Sequence, residues 1–178
     1  MKKIVLIYGL ISGLCVAIFM SLSIAYCYSK NSFEGSMLLG YTAMLLSFSF
    51  VFVGVKKYRD HHNAGTISFA KAFLVALYMS LIASTLYVLG WMIAYYNFFP
   101  DFMDKLAAYQ LSPAKMAEMS AAEVAGVHAQ IETFKEWYAS PIGVAGATYM
   151  EILPLALLVS LIAAVSLKRK ATLAVKSS

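Results

Sequence analysis

Charge is what this chain has least of. Only 13% of its 178 residues are charged and 61% are hydrophobic, with a mean hydropathy of +0.74. Soluble domains carry about 25% charged and about 45–50% apolar residues, so the shortage excludes an ordinary water-soluble globule and indicates a membrane protein. Cysteine is scarce too: Cys15 and Cys27 share the first apolar run. A helix rising 1.5 Å per residue sets them roughly 18 Å apart, whereas a bridge needs Cα atoms within about 7 Å. They read as small apolar fillers, with an intermolecular bridge through Cys27 as the alternative. Of the three histidines, His61 and His62 are adjacent and His128 is alone. Adjacent side chains on a helix point about 100° apart, and no acidic cluster beyond Asp60 assists them, so neither a metal site nor a cofactor is expected. Phosphate-binding glycine loops, HExxH, CxxC pairs and nucleophile elbows are absent, and a non-enzymatic protein is expected. A net charge of +5 with pI near 9.1 would suit a nucleic-acid binder. The cations gather at the ends of apolar segments instead, which favours the lipid bilayer as partner and excludes nucleic acid.

What the chain does have is four long apolar runs, at about 4–28, 37–55, 69–96 and 142–167. Each is close to or above the roughly 20 residues that cross a bilayer as a helix. The first is too long for a signal-peptide core of about 7–15 residues and reads as a retained span. Small residues recur at every fourth position: Gly9, Gly13, Ala17, Ser21 and Ala25 in the first run; Ala72, Ala76, Ser80 and Ser84 in the third; Ala156, Ser160 and Ala164 in the last. Such stripes let neighbouring backbones approach and predict helix packing rather than chemistry. The second run carries Gly40, Ser47 and Gly54 at heptad spacing. Ser68 or Thr66 is placed to cap the third helix, and Asn63 and Gly65 supply turn chemistry before it. Trp91, Tyr95, Tyr96, Phe98 and Phe99 crowd its far end as an interfacial aromatic belt would.

Residues 101–140 form the one substantial non-spanning piece. Ser112-Pro113 reads as an N-cap followed by proline at the first helical position. Ser120-Ala-Ala-Glu123 is a capping box, after which Val124, Val127, Ile131, Phe134 and Tyr138 line one face. The expected fold is therefore all-α: a polytopic membrane protein with four transmembrane helices and an extracytoplasmic amphipathic helical hairpin between the third and fourth. The tail 171–178 shows no pattern and is expected to be disordered. Lys2, Lys3, Lys56, Lys57, Arg59, Lys71, Lys168, Arg169, Lys170 and Lys176 fall on one side of the four runs, with Asp60 as its only acid. The other side carries Lys30, Lys105, Lys115 and Lys135 against Glu34 and the acids of residues 101–140. The positive-inside rule then puts both termini in the cytoplasm and the 101–140 insertion outside.

Glu151 is the only acid inside any apolar run. A carboxyl at membrane depth is costly and reads first as a functional site whose partner should be named. Pro154 follows and has no N–H to give, so a bend separating two half-helices is expected there. Counting inward along helices of alternating direction places Ser21 or Ser23, Ser47, and Ser84 to Tyr87 at similar depth. Two readings stay open: a neutral Glu151 hydrogen-bonded across helices as a structural anchor, or a proton-responsive or solute-binding site.

Four stretches carry a family likeness: Gly65-Thr-Ile-Ser-Phe-Ala-Lys-Ala-Phe73, Pro100-Asp-Phe102, Glu151-Ile-Leu-Pro154 and Lys168-Arg-Lys170. Through them the chain resembles the domain-of-unknown-function 4199 family of small bacterial integral membrane proteins over nearly its whole length. That resemblance implies four helices in an inner membrane and no established activity, and it supplies no catalytic residue. The expectation is an inner-membrane accessory or interaction protein, as a homo-oligomer or with another membrane protein. The alternative is a small proton-responsive transporter or permease-like module using Glu151.

Overall fold

The computed structural model describes residues 2–30, 33, 36–62 and 64–169. The expectations for Glu34, Asn63, Lys170, Lys176 and the tail 171–178 fall outside those residues. Seven helices follow one another: α1 (Lys2–Lys30), α2 (Ser36–His62), α3 (Phe69–Asn97), α4 (Phe102–Gln110), α5 (Pro113–Met116), α6 (Ala121–Tyr138) and α7 (Pro141–Leu167). Four of them, Lys2–Lys30, Leu38–His62, Phe69–Asn97 and Pro141–Leu167, are long and apolar enough to cross a membrane. The all-α, four-span expectation is met.

The helices begin and end where their sequences direct. Ser68 accepts from the Lys71 amide at 3.3 Å to start α3. Ser120 and Glu123 form the full capping box of α6. Ser140 accepts from the Gly143 amide at 3.1 Å, with Pro141 in the first turn of α7. Proline opens α5 as expected, although the Ser112 hydroxyl makes no capping bond. The second helix continues past its apolar run to His62, because Lys and Arg are good helix formers and cations favour a helix C-terminus. The last helix is unbroken through Pro154. Packed neighbours and local adjustment let membrane helices tolerate the missing N–H.

The small-residue stripes decide which helices touch. A Cβ built on Gly9 would lie 2.9 Å from the Ile82 Cβ, and one on Gly13 would lie 2.9 Å from the Ala83 Cα. One on Gly90 would meet the Ala17 Cβ at 3.0 Å. The Gly9–Ile82, Gly13–Leu86 and Ala17–Gly90 contacts share one offset, and it is the 73-residue separation at which Tyr28 bonds Asp101. So α1 and α3 run parallel in a single register along their whole length. Against this pair α2 packs mainly on α1, and α7 mainly on α3. The Ser12 hydroxyl donates to the Ser47 carbonyl at 2.8 Å across the α1–α2 seam. Gly54 is wedged where a side chain would strike both Tyr8 and Met79. Ala72, Ala76, Ser80, Ala156 and Ser160 are all buried in the bundle.

The basic end is tied by backbone. Ile67 and Arg169 exchange two hydrogen bonds of 2.9 Å, joining the lead-in of α3 to the exit of α7. Arg59 adds an Nη1 bond of 3.4 Å to the Leu167 carbonyl, one of the acceptors that a helix end leaves free. Gly65 takes a positive φ of 74° and returns its amide to the Arg59 carbonyl at 3.0 Å, closing the α2 end.

At the opposite end the aromatic belt is only partly a belt. Tyr96 and Phe98 face outward, but Trp91 and Tyr95 are buried. They receive Phe102 and Tyr138, with ring centroids 4.9 Å from Trp91 and 5.1 Å from Tyr95 respectively. The apolar face of α6 is its covered face, with Ile131 buried, and Lys135 reaches Asp104 of α4 at 3.3 Å. Cys27 is 2% exposed, so its thiol is not offered to a second chain, contrary to the intermolecular alternative.

The register makes a direct prediction. Gly13→Leu should destabilise the purified protein by about 1–3 kcal/mol, the usual cost of overpacking. Gly40→Leu, where a Cβ would meet nothing within 4 Å, should change stability by no more than about 0.5 kcal/mol. Unfolding of both variants in one detergent measures the contrast.

Candidate functional site

Helices α3 and α7 run antiparallel and are joined by three side-chain rungs. Nearest the basic end, the Ser80 and Ser160 hydroxyls meet at 3.1 Å inside the core. Ser160 gives its proton to the Ala156 carbonyl at 2.7 Å, which leaves Ser80 as the donor between the two. On a more exposed edge, Tyr149 donates to Thr85 at 3.0 Å. Further along, the Tyr87 phenol donates to the Glu151 Oε2 at 3.4 Å. Beyond it Trp91 donates from its indole nitrogen to the Tyr138 hydroxyl at 3.1 Å, tying α6 onto α3. Burial pushes the Tyr138 phenol up from its ordinary value, the bond from Trp91 opposing the shift. Tyr138 therefore stays a neutral hydroxyl beside Glu151.

Glu151 itself stands on the side of α7. Tyr87 is buried at 3% exposure and forms the inner wall, whereas Glu151, Met150 and Pro154 are exposed on the helix flank. Glu151 thus sits on the exposed flank of α7, its carboxyl bonded to Tyr87 on the inner side.

The other residues expected at this depth are dispersed. Ser84 and Ser47 are buried, and neither hydroxyl has a hydrogen-bond partner. Both belong to the core side of the layer, and nothing links them to the carboxyl. Ser21 lies away from it, on the α1–α3 seam, and bonds the Ala17 carbonyl at 2.8 Å. There it lines a shallow groove of about 330 Å³ with Ala25, Gly90, Ala94 and Phe99. Of the expected polar group, the structure brings Tyr87 alone to Glu151. Sequence reasoning passed over Ser12 and Tyr149 as bonding partners. A hydroxyl inside an apolar run carries no mark of which way it turns.

A family model described as a protein of unknown function (DUF4199) matches residues 7–169. The chain belongs to this family. Comparison with curated proteins and with solved structures returned no match. The DUF4199 match spans all four membrane helices and both ends of the bundle, so the stretches that carry the likeness can be placed. The 65–73 stretch and the 168–170 stretch meet at the Ile67–Arg169 bridge. In the 100–102 stretch, Asp101 accepts from Tyr28 at 3.2 Å and from Lys105 at 3.0 Å, and the Lys105 ammonium sits 4.1 Å from the Tyr28 ring centre. The 151–154 stretch is the lateral carboxyl.

Two measurements test these contacts. In a double-mutant cycle, Tyr87→Phe and Glu151→Gln should couple by no more than about 0.6 kcal/mol in detergent unfolding, the average for interhelical bonds in membranes. At the far end, the bond from Lys105 holds the Asp101 carboxyl below its ordinary value of 3.8. A carboxylate lowered in the folded state contributes stability above its unfolded pKa and loses it as pH falls through the folded one. Docking of α4 should therefore loosen as pH drops below about 3.8, seen as a change in Trp91 fluorescence in a Trp137→Phe background. Asp101→Asn should remove that part of the titration.

Proposed function

We propose that this DUF4199 protein is a non-enzymatic accessory or interaction protein of the inner membrane, with both termini in the cytoplasm. The observation carrying the reading is the sideways Glu151. A transport carboxyl lines a path through a protein, and this one stands on the flank of α7 with the buried ring of Tyr87 behind it. A polar group at membrane depth that its own bundle leaves half-served is completed by a neighbour. The remainder of the bundle supports a scaffold: small-residue seams, serine rungs and an insertion folded over one end join its helices closely. Orientation rests on charge. The ends of α2 and α7 and the starts of α1 and α3 gather the basic residues, as cytoplasmic faces do.

Reconstitution tests this against the transporter reading. In liposomes loaded with a pH dye, wild-type and Glu151→Gln proteins should give the same proton leak. In native membranes the chain should migrate in a discrete complex with a different membrane protein. A flux that disappears in Glu151→Gln would replace the accessory reading with the transport one.

A further inference from the structure

We infer that the flank of α7 around Glu151 is a docking surface for a transmembrane helix of another protein, one carrying a Lys or Arg within its span. This rests on the interaction reading and names the chemistry of the partner.

Two observations converge. First, Glu151 is an exposed residue on this flank, and its carboxyl takes one bond, from Tyr87 at 3.4 Å. A carboxylate has two oxygens and about four acceptor positions, so one bond leaves most of its capacity unused. Second, Pro154 has no N–H for the Met150 carbonyl, so the acceptor one turn back in the same helix lacks its usual helical donor. A carboxyl beside a carbonyl short of its donor suits a donor-rich cation, five N–H groups on Arg or three on Lys.

Charge complementarity selects the occupant. No Lys or Arg occurs in residues 4–28, 37–55, 72–96 or 142–167 of this chain, so a second copy has no cation to offer at this depth. Two copies related by a twofold axis would bring Glu151 against Glu151. Lipid tails offer no donors. At 1.5 Å per residue, Glu151 lies roughly 15 Å from the Pro141 end of α7 and roughly 24 Å from its Leu167 end. The partner's basic residue should lie at the matching depth, nearer the aromatic end of the bundle.

The test places a photo-crosslinking amino acid at Leu158, which is 52% exposed on the same flank, in the full chain in its native membrane. A probe at Ile18, 58% exposed on α1, is the control. The expected product joins Leu158, and not Ile18, to a transmembrane segment of another protein with an internal Lys or Arg. Glu151→Gln should lower its yield roughly tenfold or more, as for losing one member of a desolvated charge pair. Pro154→Ala, which restores an N–H to Met150, should lower it less. Glu151→Lys should abolish the product, and the partner's own basic residue changed to Glu should restore it. That recovery also shows that the variant chain is folded. A product unaffected by Glu151→Gln, a product between two copies of this chain, a partner helix without a basic residue, or lipid adducts alone would each overturn the inference. If a native complex forms but its Leu158 product ignores Glu151, only the docking surface falls. If no complex forms, the accessory reading falls with it.

Discussion

Between α1 and α3 the backbones come so close that a methyl group on Gly9 or Gly13 would collide with Ile82, Leu86 or Ala83. Lipid tails are as apolar as leucine, so no hydrophobic force holds two helices together inside a bilayer; close packing and interhelical bonds must do it. Here the packing sets one 73-residue register from Gly9 to Tyr28. The other placements depend on it. With α1 and α3 side by side and parallel, α2 settles on α1 and α7 on α3. Glu151 lies on the α7 flank that stays exposed in this arrangement, among the described residues.

The polar bonds of the bundle are better suited to fixing register than to adding stability. Ser12 to Ser47, Ser80 to Ser160 and Trp91 to Tyr138 each join a different pair of elements at one depth. A hydroxyl buried in hydrocarbon without a partner is costly, so sliding a helix by one turn would orphan its rung. Ser47 and Ser84 already hold unpartnered hydroxyls in the core.

The outline of this fold was legible because hydropathy, helix caps and charge asymmetry are local. Ser68, Ser120 and Ser140 cap where their neighbours direct, and the stripe at Gly9, Gly13 and Ala17 does face another helix. What was not legible is which stripe meets which. Nothing local to Gly13 says that it meets Leu86, and the parallel pairing of spans one and three runs against the habit of sequential neighbours. The same blindness moved Ser21 out of the expected polar layer and turned Trp91 and Tyr95 inward from an expected belt. Proline 154 illustrates the converse: a breaker by local rules, it is carried through by the packing around it.

The four stretches that carry the family likeness divide by what they do in three dimensions. The 65–73 and 168–170 stretches lock one end of the bundle through backbone bonds between Ile67 and Arg169. The 100–102 stretch locks the other, through Asp101 to Tyr28 and Lys105 and through Phe102 to Trp91. Each of these has an evident role in holding helices together. Glu151 to Pro154 does not: its proline removes a helical donor, and its carboxyl makes one long bond from the exposed flank. A structural anchor would be expected to resemble the serine rungs, short and enclosed. A carboxyl on the flank, beside a carbonyl that has lost its usual helical donor, stabilises this fold little and leaves acceptor capacity for a neighbour. The ties at the two ends hold the bundle together without calling on it.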